Sequence, residues 1–404
     1  MLLRIAWRNI WRNKRRSLIV IASIVVGVIA ILFNDALSIG MVTQIFENQL
    51  GSYVSYIQIH RKGFNDNKVI QNAIVDPEFV ERTLTHNAEV KAFSPRVVTF
   101  GLVSSALNSS GAAIIGVKPA DEAKVTIIKQ SIVAGHYFDT GKHEAVMGKK
   151  LAEKLGVGLG DKVVGMASTT SGSVGTDLFR IVGLYETVSS EFDKSYMFIS
   201  LSDAQRMLEM GHGVSEFAIV TIDRNRVEEV KRQLAAALGD TYEVLSYADL
   251  IPLMVSQMEI YKESLYIIYV IIGLALIFGI INTMLMSVFE RIQEFGVLMA
   301  IGMKNSRLFS MVLTEAVLLG TLGSILGMVI GYALYLPLSS SGIDLSGFSK
   351  SLTAFGSGAI IYPILTPSTI IETLLVIPFT AVLGSVYPAL KAVRLVPTSA
   401  IRHV

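Results

Sequence analysis

Three acidic residues lie inside strongly apolar stretches: Asp35, Glu315 and Glu372. A carboxylate is costly in such a setting and is normally paired, wet or functional. Asp35 and Glu372 fall near the outer ends of apolar runs, where interfacial solvation suffices. Glu315 lies deeper, about two turns into its run. Its expected role is a hydrogen bond to a neighbouring helix, with Asn282 and Thr283 as partners across the packing. A proton relay is the alternative, but no second acid sits at that depth. Catalytic signatures are missing. Gly135 and Gly141-Lys142 have one residue too many between them for a phosphate loop, and His143 follows. His143-Glu144 begins like a zinc-protease motif, but Met147 stands where the second histidine belongs. There is no Gly-x-Ser-x-Gly elbow and no Ser-x-x-Lys pair. Six scattered histidines and no cysteines yield no metal site, disulfide or thiol nucleophile. The chain reads as a non-enzyme with no cofactor of its own.

The elements that hold these acids are membrane helices. Half of the 404 residues are hydrophobic and 17% are charged, and the mean hydropathy is +0.54. The net charge of +2 is too small to indicate nucleic-acid binding. Four apolar runs meet the length of roughly 20 residues needed to cross a bilayer: 17–39, 264–289, 309–338 and 368–390. The first is read as a retained span, not a cleaved signal, since no small-residue cleavage site precedes Asn34 and Asp35. Residues 1–16 form a basic amphipathic helix, with Arg4, Arg8 and Arg12 on one face and Leu3, Trp7, Ile10 and Trp11 beside it. It reads as an interfacial elbow, as the positive flank of the first span, or both. Arginine and lysine cluster at the N-terminus, in the loop at 290–308 and in the tail at 391–404, against only Lys350 in the loop at 339–367. The positive-inside rule places both termini and the 290–308 loop in the cytoplasm. Residues 40–262 then form an extracytoplasmic α+β domain inserted between the first two spans.

Within that domain, Tyr53–His60, Ala112–Val117, Leu178–Glu186 and Phe217–Ile222 are expected strands. Asp76–Leu84, with Asp76 as its cap and Pro77 at its first position, and Arg226–Leu238 are expected helices, with a short one around KKLAEKLG. SSALNSSG and STTSGSVG read as flexible loop tips. The second is either a partner contact or an ordinary mobile hairpin. In the third span, Gly320, Gly323, Gly327 and Gly331 form a small-residue face. It suits a dimer contact or packing within the monomer.

Between the second and third spans lies ERIQEFGVLMAIGMK, Glu290–Lys304. Ile292, Phe295, Leu298, Met299 and Ile301 recur at helical spacing. Arg291 and Glu294 can pair, and Gly302 can close the helix in a left-handed conformation. A helix tethered by spans at both ends can turn a push from a soluble partner into movement of those spans. It can equally be a helix resting in the headgroup layer.

That stretch resembles the signature of FtsX-like ABC-transporter permeases, and LTEAVLLGTLGSILG and YPALKAVRLVPTSAIRH continue the resemblance. GDKV and FRIVGLYETVSSEFDKSYMFISL resemble the extracytoplasmic domain of the same permeases. WRNIWRNKRRS, YIQIH and SSEFDKSY are similar to lipoprotein-releasing permeases of Gram-negative bacteria. The resemblance implies a multi-pass protein of the bacterial inner membrane. It implies a second permease subunit, identical or related, and a separate cytoplasmic ATPase that holds ATP and Mg. In such mechanotransmission permeases, ATP closure moves the outer domain, which passes lipoprotein cargo to a periplasmic carrier. On this reading Glu290, Arg291, Glu294, Phe295, Gly296, Leu298, Met299, Ala300 and Gly302 couple to the ATPase. Phe33, Asn34, Asp35 and Ile39 would line an entrance for cargo between the first and second spans, in contact with membrane lipid. A macrolide- or peptide-exporting permease is the alternative, and a scaffold regulating a cell-wall hydrolase is another.

Overall fold

The computed structural model describes residues 2–12, 14–139, 142–348, 352–353 and 356–394. Gly141, Lys350, Arg402 and the rest of the tail beyond Arg394 lie outside them. Two compact units emerge. One comprises 1–42, 258–344 and 360–404, and the other 43–257 with 345–359.

The first unit is a helix bundle. The amphipathic helix Leu2–Arg12 packs against the third span, burying Ala6 and Ile10 and leaving Trp7 and Trp11 each 45% exposed. That exposure suits indole rings at a membrane–water boundary. The four long apolar helices are Lys14–Gln49, Pro252–Glu290, Asn305–Ser341 and Pro367–Val393. The first two run well past the apolar stretches. Hydropathy registers only the part that sits in lipid, while the helix continues through polar residues because no proline interrupts it. The glycine face of the third span makes close contacts inside the bundle. A Cβ on Gly323 would stand 2.7 Å from Ile24, on Gly327 2.7 Å from Val28, on Gly331 2.7 Å from Leu32, and on Gly320 2.7 Å from Ala381. Packing within the chain therefore uses the stripe, against the first and fourth spans.

The second unit holds a ten-stranded mixed sheet. Strands β1 (Ile57–Arg61), β2 (Val90–Ser104), β9 (Glu216–Thr221) and β10 (Tyr242–Ser246) lie in the order β10-β1-β9-β2, all antiparallel. Helices Pro77–His86 and Val227–Leu238 make the two crossovers, which is the split βαβ arrangement. Between β2 and β9 the chain inserts β3 (Ser109–Val117), β4 (Ile132–Gly135), β5 (Glu144–Gly148), β6 (Lys162–Ser168), β7 (Val174–Tyr185) and β8 (Tyr196–Ser200). Pairings β2-β3-β8-β5-β7-β6-β2 close six strands into a ring. Ile114, Met147, Phe179 and Ile199 belong to its buried core.

Several local expectations change. Tyr53 and Val54 are not strand: Leu50–Val54 is a π-helical turn that continues the first long helix. Asp76 stands at the N-cap of its helix, but its side chain accepts no capping bond. SSALNSSG is a tight hairpin between β2 and β3, closed by Ser105 N–H to Asn108 O at 2.8 Å. The STTSGSVG tip is pinned, with Thr169 1% exposed, Thr170 N–H donating to Leu208 O at 3.1 Å and Ser171 donating to Glu209 at 2.9 Å. The last residues of the first long helix are likewise held within this unit. Phe46 meets Tyr247 edge-on at 5.1 Å, Arg224 stacks on Phe46 at 4.5 Å, and Arg224 pairs with Glu47.

A buried charge group sits on strands β2 and β9 of the sheet. Arg96, fully buried, donates to Glu122 at 2.8 Å, to Glu216 at 3.1 Å and to the Tyr53 carbonyl at 2.7 Å. Burial works against the Glu216 carboxylate, but His60 and Arg96 outweigh it and hold its pKa below the usual range.

Candidate functional site

The second span ends at Glu290, Arg291 caps a new helix, and that connector helix runs Ile292–Ala300. Gly302 follows at φ +98°. Its N–H bonds Met299 O and Met303 N–H bonds Leu298 O, both at 3.0 Å. This is the Schellman closure, for which a left-handed residue is required. Asn305 then opens the third span.

Six charges from five parts of the bundle converge here. Arg12 forks onto Glu294 at 2.6 and 2.8 Å. Arg16 reaches Glu290 at 2.8 Å and Ser287 Oγ at 2.5 Å, and lies 3.8 Å from Glu315. Arg291 donates to Glu294 and to Glu315, each at 3.1 Å. Three guanidiniums thus balance three carboxylates. Burial acts to raise the Glu294 pKa, but the bonds from Arg12 and Arg291 outweigh it and leave the carboxyl below its ordinary value. Glu315 is 2% exposed, and its partners are Arg291 and Arg16. The expectation of Asn282 and Thr283 is therefore corrected. Asn282 faces outward, and Thr283 donates to Gly279 O of its own helix at 2.8 Å. A buried acid at this depth takes a full countercharge when one is within reach, because a neutral amide leaves its charge uncompensated.

The connector's sequence-derived residues divide between two faces. Phe295, 1% exposed, and Gly296 point inward, and Arg291 stacks over the Phe295 ring at 5.2 Å. Phe295 belongs to the buried cluster that also holds Ile10, Val288, Leu308, Met311 and Val312. Leu298 and Met299 are half-buried against the same cluster, while Glu290, Glu294, Ala300 and Gly302 are exposed. The outward apolar surface is instead Val297, 47% exposed, and Ile301, 80% exposed. Val297 escapes the sequence-derived set and Ile301 enters it only through the apolar pattern of the helix, although Gln293, Val297, Ala300 and Ile301 share one face at three- and four-residue spacing.

Elsewhere in the bundle, the proposed entrance residues also separate. Phe33 is 44% exposed, Asn34 and Ile39 are half-buried, and Asp35 is 2% exposed. The helix itself continues past Asp35 to Gln49, and Tyr269 of the second span donates to Asp35 Oδ2. Phe33 with Ile29, Leu32 and Ala36 lines an apolar cavity of about 150 Å³. Its far wall is Leu334 and Tyr335 of the third span with Leu365, so it opens between the first and third spans. In the sheet unit, His143, Asp177 and Asp203 converge with metal-like spacing. Arg206 already donates to both carboxylates, at 3.0 and 2.6 Å, and His143 N–H to Asp203 at 2.8 Å, so the group reads as a closed ion pair.

The fold and the charge-locked connector define a multi-pass membrane protein with a periplasmic-type α+β domain. Residues 17–237 match the MacB-like periplasmic core domain, and 266–397 match the C-terminal region of FtsX-like permeases. The chain belongs to the FtsX-like permeases that carry a MacB-like periplasmic core. It is similar to the lipoprotein-releasing system transmembrane protein LolC of Xylella fastidiosa, at 25% identity over 71% of this chain and 72% of the relative. It is also similar to the pyoverdine export ATP-binding/permease protein PvdT of Pseudomonas syringae pv. tomato, at 26% identity over 98% of this chain. The chain spans only 58% of that relative's length. Among solved structures, the periplasmic region of MacB from Actinobacillus actinomycetemcomitans overlays 52% of this chain and 97% of its own, at 14% identity and a TM-score of 0.37.

Proposed function

We propose that this chain is the membrane subunit of a mechanotransmission ABC transporter that extracts lipoproteins from the bacterial inner membrane. ATP and Mg are held by a separate cytoplasmic ATPase, a second permease subunit completes the assembly, and a periplasmic carrier receives the cargo. The supporting observation is the connector helix. One face is locked by Arg12, Arg291 and Phe295 to the amphipathic helix and the third span. Its opposite face leaves Val297, Ala300 and Ile301 uncovered. A push on that face cannot be absorbed by the connector alone, because the charge cluster passes it to the first and third spans. A few desolvated residues near the centre of a docking patch contribute most of the binding. Val297→Asp or Ile301→Asp should abolish co-purification of the ATPase and leave membrane insertion intact. Unchanged co-purification in both variants removes the coupling role.

The cargo is tested separately. Each acyl CH₂ buried in lipid contributes about 0.8 kcal/mol, so extraction requires an energy source. Proteoliposomes with the ATPase should release acylated lipoproteins only when ATP and a carrier are present. The similarity to PvdT across nearly the whole chain supports a second reading, a permease that exports a compound of the macrolide or peptide type. ATP-driven extrusion of such a compound without lipoprotein release would replace the first reading with it.

A further inference from the structure

Arg12, Arg16 and Arg291 are matched by three carboxylates, but other cations at the same end of the bundle are not. Arg4 and Arg8 on the amphipathic helix, and Lys14 and Arg15 at the start of the first long helix, are exposed. Among the described residues, none of the four forms an ion pair. At about 100° per residue, Leu3, Trp7, Trp11, Arg4 and Arg8 follow one another around an arc of about 140°. All five are exposed, and the two indole rings meet edge-on at 6.0 Å. The opposite arc carries Ala6, Asn9 and Ile10, which are buried. Ile10 belongs to the cluster that holds Leu308, Met311 and Val312, in the opening turns of the third span. The uncovered arc therefore lies where that span leaves the hydrocarbon, at the level of the headgroups.

Water would leave Leu3 and both indoles wet, and an apolar protein groove would strand the guanidiniums without countercharge. The headgroup layer meets both needs, because indole rings settle at that level and arginine forks onto phosphate oxygens. Net charge then selects among lipids. A zwitterionic headgroup brings its own cation, whereas an anionic one leaves its charge for the protein. Each basic residue near an anionic surface strengthens binding by about fivefold. The same helix is also tied inward, since Arg12 forks onto Glu294 of the connector at 2.6 and 2.8 Å.

We propose that Arg4, Arg8, Lys14 and Arg15 bind the phosphates of anionic phospholipids, with Trp7 and Trp11 seated among the headgroups, and that this contact steadies the connector through Arg12 and Glu294. The inference needs only the membrane placement of the bundle, so it stands or falls separately from the ATPase-coupling and cargo assignments.

Trp7 and Trp11 are the chain's two tryptophans, so intrinsic tryptophan fluorescence reports on this face alone. The full chain is reconstituted in bilayers of equal phosphatidylglycerol and phosphatidylcholine, with the acyl chains of one lipid or the other brominated as a quencher. Both should quench the wild type, with a relative affinity about fivefold higher for the glycerol lipid. Arg4→Gln/Arg8→Gln/Lys14→Gln/Arg15→Gln should bring the ratio close to one. Arg4→Lys/Arg8→Lys/Arg15→Lys, which keeps the charge, should keep most of the preference. If the fourfold variant does not insert, Arg4→Gln/Arg8→Gln carries the test and should at least halve the preference. In the wild type, connector amides in Ile292–Ala300 should exchange hydrogen more slowly with phosphatidylglycerol present than in phosphatidylcholine alone. No quenching by either lipid sets the face against protein or water and overturns the proposal. Equal quenching by both overturns it too, as does a preference that persists without the four charges. A preference that inorganic phosphate abolishes at constant ionic strength identifies a soluble-anion site and also overturns it. Connector exchange indifferent to phosphatidylglycerol in the wild type removes the link to the connector.

Discussion

Glu315 and Arg291 show how one pair decides the stability of an end of the bundle. Arg291→Met leaves Glu315 buried with Arg16 at 3.8 Å as its remaining partner. The cost should be about 3–5 kcal/mol, the usual penalty for stranding a buried charge. The double variant Arg291→Met/Glu315→Leu should recover most of it, since removing both charges removes the desolvation problem. Thermal unfolding in detergent measures both, and equal losses in the single and double variants would contradict the account. Asp193 offers a pH test outside the membrane. Burial pushes its carboxyl up to about 6, although Thr187 hydrogen bonds oppose the rise. The folded state therefore binds the proton more tightly than the unfolded chain. The associated stability is fully present below about pH 4 and is lost as pH rises through about 6. Asp193→Asn should flatten the unfolding profile across that window by about 1–2 kcal/mol once screening is allowed for. A wild-type profile that is already flat there would exclude this role for Asp193.

At the scale of elements, the third span is organised by absent side chains. A Cβ on Gly327 would meet the Cβ of Val28 at 2.7 Å and the Val25 backbone at 3.2 Å, so the two helices approach nearly backbone to backbone. Gly327→Val should destabilise the bundle by about 1–3 kcal/mol through overpacking. Val28→Gly should restore part of that loss, because the nearest atom is the Val28 Cβ itself. Absence of rescue would mean that the stripe serves a different contact. The connector behaves differently, because Gly302 meets nothing within 4 Å and is needed for its φ alone. Gly302→Val should fray the Schellman closure at a cost of about 1–3 kcal/mol, read as faster hydrogen exchange at Met303.

For the whole molecule the governing prediction is topological. The basic flanks place both termini and the connector on one side of the membrane, with the sheet unit on the other. The chain has no native cysteine, so single cysteines at Ser171 and Ser306, both exposed, report cleanly. A membrane-impermeant thiol reagent should label Ser171→Cys in intact spheroplasts and spare Ser306→Cys. Labelling of Ser306→Cys alone would invert the assignment.

What the amino-acid order determined by itself was local and periodic. Apolar runs revealed the four spans, because lipid demands a continuous apolar stretch whatever its neighbours are. The helical spacing in Ile292–Ile301, the closure at Gly302 and the pairing of Arg291 with Glu294 were legible for the same reason. Each depends on residues within one or two turns. The ring of six strands was not legible, because β2 pairs with β6 and β3 with β8 across long sequence separations. The inward and outward faces of the connector were decided only by packing. Phe295 and Val297 are both apolar, and which one is buried depends on Ile10 and Leu308 arriving from other helices. Glu315 likewise found its countercharge in Arg16, nearly 300 residues away in the chain. Burial makes such a charge require a partner, and only the tertiary fold determines which residue arrives to supply it.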